Sequence, residues 1–139
     1  EELLDFVGQV RLERLGVFAY RPEPETPSAR LEGHVDEEKK QRRREQVLHL
    51  QQQIAFDWSE SQTGRRIDVI VDGPLDDEPA GGTRDTDGAW LGRTYADAPE
   101  IDPVVFLTGE NLAPGQIVPA EIVAPSGYDL IAVATGAPR

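Results

Sequence analysis

Cysteine is absent from the 139 residues. Its absence removes disulfides, thiolate nucleophiles and every cysteine-ligated zinc or iron–sulfur site from this stretch. No apolar run approaches the length of a membrane span, and Glu1 and Glu2 stand where a signal peptide would carry basic residues, so no membrane partner is expected. Positive charge is scarce: 14 Lys and Arg stand against 26 Asp and Glu, for a net charge of −12. That balance disfavours unaided binding to a phosphate backbone and favours either a soluble acidic surface or a basic partner. The chain begins without Met, which suggests a piece of a larger protein, and its length leaves room for one ordinary domain, or for a small domain with part of another attached.

Three zones of different periodicity follow one another. Leu3, Leu4, Phe6, Val7 and Val10 recur at helical spacing, and Gly16 then opens GVFAY, which reads as a short apolar strand. Together they resemble the last helix and strand of something larger. Prolines 22, 24 and 27 in RPEPETPSA forbid a continuing helix or strand and predict an extended loop. Next comes a long helix with Asp36 as N-cap, Glu37 and Glu38 in its first turn, and Val47, Leu50, Ile54 and Trp58 along one stripe, leaving at Gly64. From Arg65 onward the period becomes strand-like. RIDVIVDG, GAWLGRTYA, VVFL, QIVPAEIVA and YDLIAVA are five short apolar runs, and PLDDEPAGGTRDTDG between the first two reads as a long acidic hairpin loop. The expected fold is mainly β with an N-terminal helical part: a five-stranded, OB-like barrel, whose closure hides strand edges, preceded by a long helix. The expected domains are residues 1–63 and 64–139. The first holds 13 carboxylates and 9 Lys/Arg, for −4, and the second 13 and 5, for −8.

Little in the sequence points to catalysis. His34 and His49 are isolated, with no spacing on one helix face that binds zinc, and AGGT lacks the Lys and the following helix of a phosphate loop. KKQRRR, residues 39–44, is the one basic run, but it goes all round a helical turn and Glu38 lies four residues before Arg42, so a solvated helix face is expected. Trp58 continues the apolar stripe and reads as packing, whereas Trp90 fits either a core or a ligand-binding barrel face. GRTYADAPEID, residues 92–102, follows the second strand with Arg93 and Tyr95 and then three carboxylates, Asp97, Glu100 and Asp102. Such a cluster suits a cationic loop through charge-assisted hydrogen bonds.

These residues carry a resemblance. ERLGVFAYRPEPETPSA, LHLQQQIAF and LGRTYADAPEIDPVVFL resemble RimO-type ribosomal-protein methylthiotransferases over essentially the whole chain, and GRTYADAPEID is specific to that branch, since tRNA-modifying relatives carry a more basic sequence there. The resemblance implies an enzyme that places a methylthio group on the β carbon of an aspartate in small-subunit ribosomal protein twelve, using S-adenosylmethionine and two 4Fe–4S clusters bound elsewhere in the parent enzyme. No cofactor is expected in this piece, which would be inactive alone. Residues 1–63 would be the remnant of a radical SAM barrel with a connecting helix, and residues 64–139 a TRAM domain docking the protein substrate. The matching motif residues Arg93, Thr94, Tyr95, Asp97, Glu100 and Asp102 would form that dock. Phe18, Tyr20, Glu23 and Thr26 match the family's barrel-end loop, the side of a radical barrel where active sites form. Glu25 departs there from the family's usual glycine and Arg21 from its usual serine. The implied partners are the ribosomal protein and the rest of the enzyme, in the cytoplasm. The alternative is a TRAM-type RNA-binding module of a tRNA-modifying methylthiotransferase.

Overall fold

A computed structural model describes residues 1–75 and 88–139. It divides into two compact units, residues 1–55 and 56–139. The acidic hairpin loop expected between the first two strands falls, from residue 76 to residue 87, outside the described residues.

The first unit begins with helix α1 (Glu2–Val10), which closes where Arg11 takes the left-handed conformation, φ 52°. Helix α2 (Glu37–Ser61) starts as its sequence demands. The Asp36 carboxylate accepts the Lys39 N–H at 2.8 Å, satisfying one of the amides a helix start leaves without a partner. Glu37 accepts from the Gln41 amide at 2.7 Å and from the Lys40 ammonium at 3.3 Å. Those two contacts, the Gln41 bond first, hold its carboxyl below the usual range. Val7 of α1 and Val47 and Ile54 of α2 form a small core, with Leu4, Leu15, Val17 and Leu50 packed against it. Gln51 is buried in the same unit and donates to the carbonyls of Leu12 and Glu13.

Two expectations for this unit are corrected. GVFAY forms no strand: residues 16–20 carry no regular secondary structure. A strand exists only where a neighbouring strand takes its N–H and C=O groups, and no strand among the described residues pairs with these. RPEPETPSA is not a plain extended loop either, because a single 3-10 turn forms at Ser28–Arg30. Thr26 organises it by donating to the Glu23 carbonyl at 2.8 Å while its Oγ1 accepts the Ala29 N–H at 3.2 Å.

The second unit is a closed barrel of β1 (Arg66–Pro74), β2 (Ala89–Arg93), β3 (Val105–Thr108), β4 (Ile117–Ser126) and β5 (Asp129–Ala134). The strands follow one another round the barrel as β1-β2-β3-β5-β4, antiparallel except for the β3–β5 pair. Every second residue points inward, and Val69, Val71, Val105, Leu107, Val118, Ala120, Ile122, Leu130 and Ala132 make the core with Leu112. Trp58 and Trp90 pack on it. Gly64, at φ 80°, turns the chain out of α2 as expected, and its N–H bonds the Ile122 carbonyl at 2.7 Å.

Candidate functional site

Gly92 explains the start of the GRTYADAPEID stretch. A Cβ there would lie 2.6 Å from both the Ile70 carbonyl oxygen and Val69 Cγ1, so only glycine lets β2 lie this close against β1. β1 carries a bulge between Val71 and Gly73, which leaves Asp72 free to reach across and pair with Arg93.

Beyond Arg93 the chain makes two successive turns, each closed by an aspartate. Thr94, 4 % exposed, donates from Oγ1 to Asp97 Oδ2 at 2.6 Å and accepts the Ala96 N–H at 3.1 Å, while the Asp97 N–H bonds the Thr94 carbonyl. In the second turn Asp102 Oδ2 accepts the Ala98 N–H at 2.8 Å, and the Asp102 N–H returns to the Ala98 carbonyl at 3.3 Å. Two of the three carboxylates singled out in the sequence therefore brace the loop itself. The third, Glu100, is exposed and sits at φ 65°, in the left-handed region. Tyr95 and Ile101 of the same loop are 91 % and 85 % exposed. The loop is thus a stiff platform that presents an aromatic ring, a carboxylate and a branched aliphatic side chain.

Asp129 belongs to the same end of the barrel, and sequence reasoning missed it. Its Oδ1 accepts the Val104 N–H at 2.9 Å, tying the entrance of β3 to the start of β5. The signal for the Thr94–Asp97 brace was present, since a threonine and an acid three residues apart are a recurrent side-chain-to-backbone turn. For Asp129 no local signal existed, because its partner is 25 residues away. Trp90, left between two roles by its sequence, packs on the core and donates its ring N–H to the Gly109 carbonyl at 3.2 Å.

The residues matched to the family's barrel-end loop, Phe18, Tyr20, Glu23 and Thr26, lie in the first unit. Phe18 is 93 % exposed and, with Tyr20, lines a cleft of about 630 Å³ beside Leu3, Val17, Arg44 and Val47. Tyr20 stacks on His34 at 5.9 Å between ring centres, and the Lys40 ammonium lies 5.9 Å from the Tyr20 ring. Glu23 contributes its backbone carbonyl to the Thr26 turn. Glu25, at φ 70°, holds the left-handed conformation that glycine adopts without cost. Within the basic run, Arg44 donates to the Val17 carbonyl at 3.2 Å and Lys40 pairs with Glu37.

A closed five-stranded barrel, with β2 held against β1 by Gly92, is the architecture of a small OB-like domain, and the chain belongs to the TRAM domain family, which matches residues 63–135. Its curated relatives are more particular. It is 38 % identical over 135 residues to the ribosomal protein uS12 methylthiotransferase RimO of Lachnoclostridium phytofermentans, covering 96 % of this chain and 29 % of that protein. The RimO of Oleidesulfovibrio alaskensis is 41 % identical over 133 residues, covering 96 % and 29 %, and that of Clostridioides difficile 35 % over 132 residues, covering 94 % and 28 %. The resemblance drawn from the sequence motifs therefore holds, and the chain spans less than a third of the length of these relatives.

Proposed function

We propose that this chain is the part of a RimO-type methylthiotransferase that docks the protein substrate, small-subunit ribosomal protein uS12, and that the chemistry is done by residues of the enzyme outside it. The observation that carries the proposal is the braced loop after β2, which holds Tyr95, Glu100 and Ile101 outward on a barrel of net charge −8 over residues 64–139. Ribosomal proteins are rich in Lys and Arg, and an acidic platform attracts them at long range and registers them at short range. On this reading Arg93 and Thr94 set the start of the loop, Asp97 and Asp102 keep its shape, and Tyr95 and Glu100 touch the partner.

The enzyme as a whole would use S-adenosylmethionine and two 4Fe–4S clusters for methylthiolation, in the cytoplasm. This chain does not fit either cluster: it has no thiolate, and no group of three His, Asp or Glu residues that would hold a metal occurs among the described residues. Residues 1–63 would pack on the rest of a radical barrel. Exposed apolar side chains support that placement, with Leu3 59 %, Phe6 55 % and Phe18 93 % accessible. Phe18, Tyr20, Glu23 and Thr26 would then border the reaction chamber.

Titration of the chain with purified uS12 tests the docking role. Tyr95→Ala and Glu100→Gln, both at exposed positions that leave the braces intact, should each weaken binding several-fold, toward the roughly tenfold that truncation of an interface anchor costs. Unchanged affinity in both variants would remove the loop from the interface.

A further inference from the structure

On the outside of the barrel, three apolar side chains stand side by side. Leu91 of β2 pairs with Phe106 of β3, and Phe106 with Ile131 of β5. Their neighbours along each strand, Gly92, Val105, Leu107, Leu130 and Ala132, are buried, yet Leu91, Phe106 and Ile131 belong neither to the core nor to the side chains packed against it. Strand alternation therefore puts them on the outer face as one partly exposed row. Two residues further along the same face come Arg93 and Asp129, and the braced loop leaves the barrel at that edge.

Charge on this edge is unbalanced. Among the described residues of the barrel unit, Arg66 pairs with Glu121, Arg93 with Asp72 and Arg139 with Asp68, while Arg65 donates to the Gln62 side chain. Among the described residues, Glu100, Asp102 and Asp129, all at the loop end of the barrel, take part in none of those ion pairs. An apolar row beside these carboxylates suits a segment that carries Lys or Arg together with a large apolar side chain, and it repels a nucleic acid.

We propose that the outer face formed by Leu91, Phe106 and Ile131 is the seat for a cationic segment of the protein substrate, with an apolar side chain of that segment resting on Phe106 and its positive charges meeting Glu100, Asp102 and Asp129. This seat rests on the docking function proposed above and extends it from the loop onto the sheet. Apolar contact supplies most of the residence time, and the carboxylates supply steering and register.

Amide shifts of the full chain test the seat with three probes: purified uS12, a synthetic peptide of alternating Lys and Leu, and a tRNA transcript. The uS12 protein and the peptide should both move the amides of Leu91, Phe106 and Ile131. Phe106→Thr and Ile131→Thr together keep strand propensity and should weaken both by roughly tenfold. Leu31→Thr, at an exposed apolar position of the other unit, should change neither. If uS12 binds the double variant as tightly as the wild type, the seat is wrong and docking through the loop stands. If uS12 fails to bind while the peptide still moves the row, the assignment of uS12 is wrong and the seat stands. Movement of the row by the transcript alone, or by no probe, overturns the seat.

Discussion

Glu25 and Ser59 show how single residues depart from the conformational and packing optimum of this chain. Glu25 sits at φ 70°, where an L side chain costs about 1–2 kcal/mol and glycine nothing. Glycine loses more entropy on folding, so Glu25→Gly should raise the stability of the first unit by up to about 1 kcal/mol, read as a shift of the urea midpoint. Ser59 is fully buried in α2, and its hydroxyl has no hydrogen-bond partner among the described residues. Ser59→Ala removes a desolvated polar group and improves helix propensity, for a gain of roughly 0.5–1 kcal/mol in the same measurement. A loss of stability in that variant would mean that the hydroxyl has a partner after all. At this scale the sequence spoke unevenly. Asp36 as N-cap and Gly64 as the helix exit were legible because a short side chain and a missing Cβ act locally. The division among Asp97, Glu100 and Asp102 was not, because an acid in a loop looks alike whether it braces the backbone or stands in solvent.

Elements were legible where a period repeats and illegible where a neighbour decides. All five barrel strands were visible as alternating runs bounded by Gly, Pro and Asp, and each occurs close to where it was expected. The second run ends earlier than its apolar content suggested: β2 stops at Arg93, because Thr94 turns inward to Asp97 instead of continuing the ladder. GVFAY has the composition of a strand but no strand beside it among the described residues, and β propensity reflects packing against neighbours more than an intrinsic backbone preference. Hydrogen exchange on the isolated chain checks this contrast. The amides of Phe18, Ala19 and Tyr20 should exchange within the fastest class, while those of Val71 and Ile122, bonded to the Gln116 and Arg65 carbonyls at 2.8 and 2.9 Å, should belong to the slowest. Strong protection at residues 18–20 in a monomer would show that GVFAY finds a partner within this chain.

Across the whole molecule, net charge is the property most directly tied to partner choice. At −12 overall and −8 on residues 64–139, the chain should bind a basic protein in a salt-dependent manner and should be repelled by a phosphate backbone. Salt dependence alone does not separate a protein partner from RNA, because both interactions are screened. The identity of the bound partner does separate them. The most direct measurement is a calorimetric titration of the wild-type chain, at physiological and at raised ionic strength, against purified uS12 and against a tRNA transcript. Protein docking predicts saturable binding of uS12 that weakens as salt rises, and no binding of the transcript at either ionic strength. Tight binding of the transcript with no response to uS12 would contradict the docking assignment and identify the barrel as an RNA-binding module.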